Sequence, residues 1–293
     1  MSDGIAALRN PGPRERSLRA SIVAAFVSNR VAVASACVLL LIVGAAIAAP
    51  RLTPFNPDRQ DLDRRLAAPD PTHPLGTDGY GRDVLSRIIV GARASLTTGV
   101  IATALAMTIG TAIGTLSGYF RGASDLWLTR LTELALGIPP LLLVLLIVAL
   151  FGPSLRNTVL VIGLVYWPPT ARIVRGDTLR VRQHQFVEAA YGLGARARHI
   201  LARHMLPNLL PTLIVQGTLF MAEAILIESG LSYLGLGIQP PAPSWGNMLV
   251  EGRRYVDSAW WIATFPGTAI FLTVASINLV GDGFRDALDP RRR

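Results

Sequence analysis

Lysine is absent from the 293 residues, so all 28 basic positions are arginine. A phosphate-binding loop of the GxxxxGK(S/T) type needs the lysine ammonium on its nucleotide phosphates, and this chain therefore has none. Schiff-base chemistry is excluded with it. Cysteine is nearly absent: Cys37 stands alone inside an apolar run, so no internal disulfide can form. The four histidines, His73, His184, His199 and His204, show neither HExxH spacing nor a cysteine cluster, which argues against a protein-built zinc site. None of them falls inside an apolar run, which argues against a Ser-His or Cys-His hydrolase within a membrane. Charge is scarce as well. Only 16% of residues are charged and 51% are hydrophobic, whereas soluble domains carry about 25% charged residues.

What is present is a series of apolar runs with arginine between them. A net charge of +9 suits nucleic acid in principle, but arginine confined to short segments between apolar runs is the pattern that membrane topology produces. Val31 to Ala49 gives 19 uncharged residues, close to the roughly 20 that a membrane helix requires. Ala46-Ile47-Ala48 resembles a signal cleavage site, yet a signal h-region runs only about 7 to 15 residues; an uncleaved first helix is expected. Further spans are expected near Ala94 to Gly118, Glu133 to Phe151 with Pro139 and Pro140 inside it, Thr158 to Ala171, and Leu209 to Leu236. A last span opens at Trp260 and Trp261, read as interfacial aromatics, and runs to about Val280. The expected fold is all-α and polytopic, with six transmembrane helices and both termini in the cytoplasm. Inner segments then hold 18 arginines and outer ones 10, although seven of the ten lie in Pro50 to Arg93 and blur the asymmetry.

Three stretches carry more specific patterns. Ala102, Ala106, Gly110, Gly114 and Gly118 recur every fourth residue and form a ridge of small side chains, which lets another backbone approach closely. Asp83 to Arg93 has Val84, Leu85, Ile88, Ile89 and Ala92 on one side, predicting an amphipathic helix at the membrane surface. The preceding TDGYGRD reads as a turn into that helix. Tyr119 to Thr132 reads as a short basic turn. Within the fifth span, Gln216, Glu223 and Glu228 are candidate intramembrane polar residues. The two glutamates lie about 140° apart on a helix and do not form one paired site. They are read either as a proton or substrate-amine site, or as groups satisfied by a neighbouring helix or by the outer interface.

The longest cationic interval runs from Arg172 to Asn208, with seven arginines against Asp177 and Glu188. Arginine excess next to membrane spans marks the cytoplasmic side. Phe186, Ala189 or Ala190, and Leu193 recur at helical spacing, so a short helix presents one apolar face. Gly192 and Gly194 end it, a second short helix runs from Ala195 to Met205, and Pro207 predicts a break before the next span.

Glu188-Ala189-Ala190, Gly194 six residues after the glutamate, and Leu206-Pro207 resemble the EAA loop of permease subunits in ATP-binding cassette importers. His204 departs from the apolar residue usual two positions before the leucine. The runs HPLGTDGYGRDVLSRIIVGARASL from His73 and LSYLGLGIQPPAPSWGNML from Leu231 resemble the dipeptide and oligopeptide branch. The resemblance implies the type I ABC importer permease fold and a C-type permease subunit of a bacterial dipeptide or oligopeptide importer in the inner membrane. It divides the chain into residues 1–71, with the cytoplasmic N-terminus, first helix and start of an outer loop, and a permease domain at 72–290 containing the coupling loop 172–208. In that family the loop docks on a separate ATPase. Glu188 is then the polar contact, Ala189 and Ala190 keep the docking face small, and Gly194 allows the bend. Pro240, Pro241, Trp245 and Asn247 fall in the segment near the outer gate and the docked binding protein.

The implied partners are a related second permease subunit, two ATPase subunits that bind the ATP and Mg, an extracytoplasmic peptide-binding protein and the lipid bilayer, with no nucleic acid. The chain itself is then non-catalytic and binds no cofactor or metal. Nickel, glutathione or antimicrobial-peptide uptake are alternatives within the family. A proton-coupled carrier resting on Glu223 and Glu228 is the alternative from another class.

Overall fold

The computed structural model describes residues 18–288. The arginines before Leu18 and Arg291 to Arg293, expected on the cytoplasmic side, and the last residues of the 72–290 unit therefore lie outside the described residues. Asn29 separates α1 (Leu18–Ser28) from α2 (Arg30–Ile47), its side chain accepting the Ala32 N–H at 3.1 Å. The helix α1 was not expected; it lies on the C-terminal helix, with the Phe26 and Phe284 rings 4.8 Å apart. A single turn, α3 (Ala49–Leu52), closes the first span, and an extended outer segment follows with one 3-10 turn at Leu62–Arg64.

Asp83 then caps α4 (Val84–Tyr119) by accepting the Ser86 N–H at 2.8 Å. At 1.5 Å per residue this helix is about 54 Å long. It corrects the expected surface helix at Asp83 to Arg93, whose residues are instead the first turns of α4, with Val84, Arg87 and Ala92 buried. The charge on Arg93 does not stop the helix because its guanidinium donates to the Ala46 and Ile47 carbonyls at 2.6 and 2.8 Å, at the open end of α2.

The expected turn at Tyr119 to Thr132 contracts to Phe120, Arg121 and Gly122, because α5 (Ala123–Leu136) is helical throughout. Between α5 and α6 (Pro140–Phe151) the axis bends by 79°. Pro140 has no N–H to continue α5 but fits the first position of a helix, where that donor is not required. The fourth expected span is likewise divided, into α7 (Leu155–Val165) and α8 (Trp167–Arg182). Pro168 and Pro169 stand in the first turn of α8. Among the described residues four helices are long and apolar enough to cross a membrane, and α5 with α6 makes a fifth if the bent pair is one crossing. Among the described residues neither α7 nor α8 is long and apolar enough to make the sixth expected crossing.

The chain continues through α9 (Gln185–Gly192), α10 (Ala197–Ile200) and a π-turn at Leu201–Met205 into α11 (Leu206–Tyr233). Pro207 does not break it. The Leu206 N–H reaches back five residues to the Leu201 carbonyl, and Pro207 follows in the first turn of α11 with no N–H to place. The result is one apolar rod, Ala197–Tyr233, of 37 residues. The fold ends with α12 (Trp245–Arg253) and α13 (Trp261–Leu288).

The centre of the bundle is α4. On one side Ala102 and Ala106 pack with Val144, Val148, Ile162 and Ala224; on the other Leu96 packs with Ile225, Trp245, Ile270 and Ile277. The glycine part of the small ridge, Gly110, Gly114 and Gly118, sits against α8. A Cβ at Gly114 would lie 2.5 Å from the Ala171 carbonyl oxygen and 2.8 Å from the Val174 Cβ, and one at Gly118 would lie 2.7 Å from the Thr178 Cβ. Gly114→Ala is therefore expected to lower stability by about 1–3 kcal/mol through overpacking, although alanine ordinarily favours a helix over glycine by about 0.5–1 kcal/mol. Thermal unfolding of the purified protein measures this, with Gly44→Ala, where the added Cβ meets nothing within 4 Å, as the control expected to be neutral or stabilising.

Candidate functional site

The long helices α4 and α11 run antiparallel, so the end of α4 and the start of α11 meet at one end of the bundle. There α9 and α10 form a knob. Val187 and Ala190 turn inward onto Val181, Ile200, Met205 and Tyr119. Glu188 and Ala189 are exposed, as are Phe186 and Tyr191, and Leu193 keeps 89% of its surface. Of the two alanines read for the apolar face, Ala189 lies on the exposed side with Phe186 and Leu193, and Ala190 lies in the knob's small core. Gly194 has φ +74°, and its N–H bonds the Tyr191 carbonyl at 2.9 Å while the Ala195 N–H bonds the Ala190 carbonyl at 3.0 Å. No atom lies within 4 Å of its missing Cβ, so the left-handed backbone requires glycine, not the space around it.

Arginines of the cationic interval fall into two settings. Arg175 grips Asp125 of α5 with two hydrogen bonds of 2.8 and 3.0 Å, and Arg182 donates to the Tyr119 carbonyl at 2.7 Å. These two fasten α8 to its neighbours. Arg196, Arg198 and Arg203 remain exposed around the knob, and Leu206 and Pro207 are exposed where it joins α11.

At the opposite end, the start of α4 and the end of α11 meet the outer segment and α12. Trp245 is buried and donates its indole N–H to the Ile88 carbonyl at 3.0 Å. Asn247 and Ser244 cap each other reciprocally, and Asn247 Nδ2 also donates to the Ala242 carbonyl at 2.7 Å. Asn247 thus holds the loop that exposes Pro240 and Pro241. Trp261 corrects the interfacial reading: it is buried and donates to the Thr77 carbonyl at 3.1 Å, while Trp260 stays half exposed.

The TDGYGRD turn proves to be the anchor of an ionic cluster that sequence reasoning missed. Asp78 accepts the Tyr80 and Arg82 N–H groups at 2.8 and 3.0 Å and the Arg82 Nε at 2.6 Å, and Arg82 Nη2 reaches Glu251 at 2.7 Å. Arg87 lies 3.4 Å from Asp78. Burial first, and the Asp78 carboxylate second, push the Glu251 carboxyl above its usual range, against the pull of Arg82 and Arg87. Glu251 lies 169 positions from Arg82, so no local spacing signals the pair.

Between the two ends, Glu228 is fully buried and accepts Ser232 Oγ at 2.8 Å and Ser95 Oγ of α4 at 3.2 Å. Glu223 is exposed on another face, and Gln216 is half-buried near Arg180 and Arg285. The fold does not bring these three polar residues together.

Residues 110–293 match the family described as binding-protein-dependent transport system inner membrane component, and residues 17–69 match the N-terminal TM domain of oligopeptide transport permease C. The chain belongs to this family. The permease is 40% identical over 99% of its length to the probable D,D-dipeptide transport system permease protein of Escherichia coli strain K12, covering 97% of that protein. It is 39% identical to the dipeptide transport system permease protein of Alkalihalophilus pseudofirmus, over 90% of this chain and 87% of the relative. Its fold resembles that of the inward-facing MetNI methionine ABC transporter, with TM-score 0.56 and 18% identity over 69% of this chain and 97% of that one. This permease is the non-catalytic inner-membrane component of an ABC import system.

The serine contacts at Glu228 set a test of its role. Glu228→Gln keeps an acceptor for one serine and presents an amide N–H to the other, whose hydroxyl oxygen can accept it, and is expected to change stability by less than about 1 kcal/mol, whereas Glu228→Leu strands buried hydroxyls at a cost of about 1–3 kcal/mol. Thermal unfolding of the assembled complex reads both. Wild-type transport in the glutamine variant fits a structural role; lost transport with intact stability would restore the proton-site reading.

Proposed function

We propose that this permease carries dipeptides or oligopeptides inward as the C-type subunit of its importer, and that the α9 knob receives the force of ATP hydrolysis from a separate ATPase. The observation that carries this is mechanical: α9 packs through Val187 and Ala190 on Ile200 and Met205, and these belong to a 37-residue rod that runs without a break from α10 to the other end of the bundle. A displacement of α9 therefore becomes a displacement of α11, and with it of Glu228, Ser232 and the loop before α12. Glu188, Ala189 and Leu193 form the docking face, Ala190 seats it, and Gly194 turns the chain back towards α10. The absence of a phosphate-binding lysine fits ATP and Mg held by two ATPase subunits. An extracytoplasmic peptide-binding protein approaches the opposite end, over Pro240 and Pro241.

The substrate class is supported by the relatives, which include a di/tripeptide transport system permease protein of Pseudomonas aeruginosa at 40% identity. A glutathione transport system permease protein of Pectobacterium atrosepticum at 40% identity keeps glutathione, itself a small peptide, as the second reading.

A groove of about 850 Å³ between α4 and α11 supports a second, related permease subunit as partner. Apolar residues such as Met107, Ile214 and Met221 line it, yet the buried hydroxyls of Thr103 and Thr115 in the same wall lack a hydrogen-bond partner. Lipid tails offer them none; a helix of another permease subunit does.

Leu193→Asp places a charge at the centre of the docking face without touching the knob's core. It is expected to weaken ATPase association by about 2 kcal/mol or more, roughly thirtyfold, and to abolish peptide-stimulated ATP hydrolysis while leaving membrane insertion unchanged. Glu188→Ala is expected to lower the same stimulation. Co-purification and ATPase assays of the reconstituted complex measure both, and full stimulation in Leu193→Asp would remove the docking assignment.

A further inference from the structure

A cavity of about 540 Å³ opens at the outer end, between the TDGYGRD turn, the loop after α11 and the face of α12. Its size falls within the range of small-molecule sites, about 300–1,000 Å³. Its wall is charged in both senses. Arg82, Arg87 and Arg254 line it on the cationic side and Glu251 on the anionic side, with Asp78 behind Arg82.

The ionic cluster does not satisfy itself. Arg82 takes one oxygen of Glu251, but the other, Oε1, is buried without a hydrogen-bond donor. Arg87 is 2% exposed, and its Nη1 donates to the Pro57 carbonyl at 3.1 Å while its Nε has no hydrogen-bond acceptor. Arg254 joins no ion pair among the described residues. A buried charge-bearing group left short of partners costs stability, and such a deficit beside a cavity is met by a ligand that supplies the missing charges.

We propose that this pocket is a receiving site for a short zwitterionic peptide, with the free amino terminus on Glu251 and the free carboxylate on Arg254 and Arg87. The assignment rests on the peptide reading given above and adds where and by which groups the permease itself holds its cargo. The free ammonium supplies the donor that Glu251 Oε1 lacks. The carboxylate supplies the anion that Arg254 lacks, and an acceptor beside Arg87, which Asp78 and Asp58 approach only at 3.4 and 3.8 Å. Ser232 links the two levels of the structure: it lines the pocket floor and also donates to Glu228, so movement of α11 is felt at the site.

The test uses the complete complex, this permease with its partner subunits, in lipid nanodiscs without the binding protein. Titration calorimetry compares Ala-Phe with N-acetyl-Ala-Phe and Ala-Phe amide. Each blocked peptide is expected to bind at least tenfold more weakly than Ala-Phe. Glu251→Gln, which still offers Arg82 an oxygen, should erase the preference for the free amine and keep that for the free carboxylate. Arg254→Gln, at an exposed position, should do the reverse. Equal affinity for all three peptides, no binding of Ala-Phe, or unchanged preferences in both variants would overturn the assignment. ATP-driven uptake of labelled Ala-Phe into proteoliposomes with the binding protein present separates the two levels. Uptake without these preferences removes the pocket alone, and failure to take up any peptide removes the peptide reading beneath it.

Discussion

Hydrocarbon offers no hydrogen bond, so a chain that crosses it must satisfy its polar groups from within. Much of the irregularity in this permease follows from that constraint. Arg93 enters the apolar part of α4 because the last carbonyls of α2 receive its guanidinium. Glu228 is buried because Ser95 and Ser232 bond it. Pro140 and Pro207 both lack an N–H, and each stands at a helix start where none is needed. The same two residues have opposite mechanical effects. Pro140 follows Pro139 and a residue run that ends α5, so the axis turns; Pro207 follows a π-turn that keeps the axis, so a rod results.

The second organising feature is closeness. Glycines on α4 let the α8 backbone come within contact of its own, and Arg175 and Arg182 fix α8 to α5 and to the end of α4. The knob core then builds on that platform, since Val181 of α8 and Tyr119 of α4 both pack against Val187 and Ala190. The proposed docking face is thus held by two helices that cannot part without opening the ridge. A small ridge at mid-bundle and an exposed leucine on the knob are parts of one mechanical unit.

The sequence made the long elements and the knob legible because their signals are local: apolar length for α2, α11 and α13, a four-residue period for the ridge, and glycine at Gly194 for a left-handed turn. Boundaries failed where tertiary contact overrode a local rule. A charged stretch at Asp83 to Arg93 looked like an end of the membrane helix, and its neutralising partners lay on α2, outer-segment and α12 residues far away in sequence. Pro207 looked like a stop because the widened turn before it leaves no composition mark. The outer ionic cluster was invisible for the same reason: Asp78, Arg82 and Arg87 suggest a turn alone until Glu251 arrives from α12.

The two ends of the molecule are therefore coupled through elements that each touch both. The α4 helix starts among Asp83, Arg87 and the Trp245 indole and finishes at Tyr119 beneath the knob. The rod from Ala197 to Tyr233 runs the other way and delivers Ser232 to the outer pocket. A push at α9 cannot be absorbed at a hinge between α10 and α11, because no break exists there. The breaks in the helices lie elsewhere, at the 79° bend between α5 and α6 and at the Tyr166 junction of α7 and α8. On the proposed coupling role of the knob, the continuous path for its motion runs along α11 towards the outer loop.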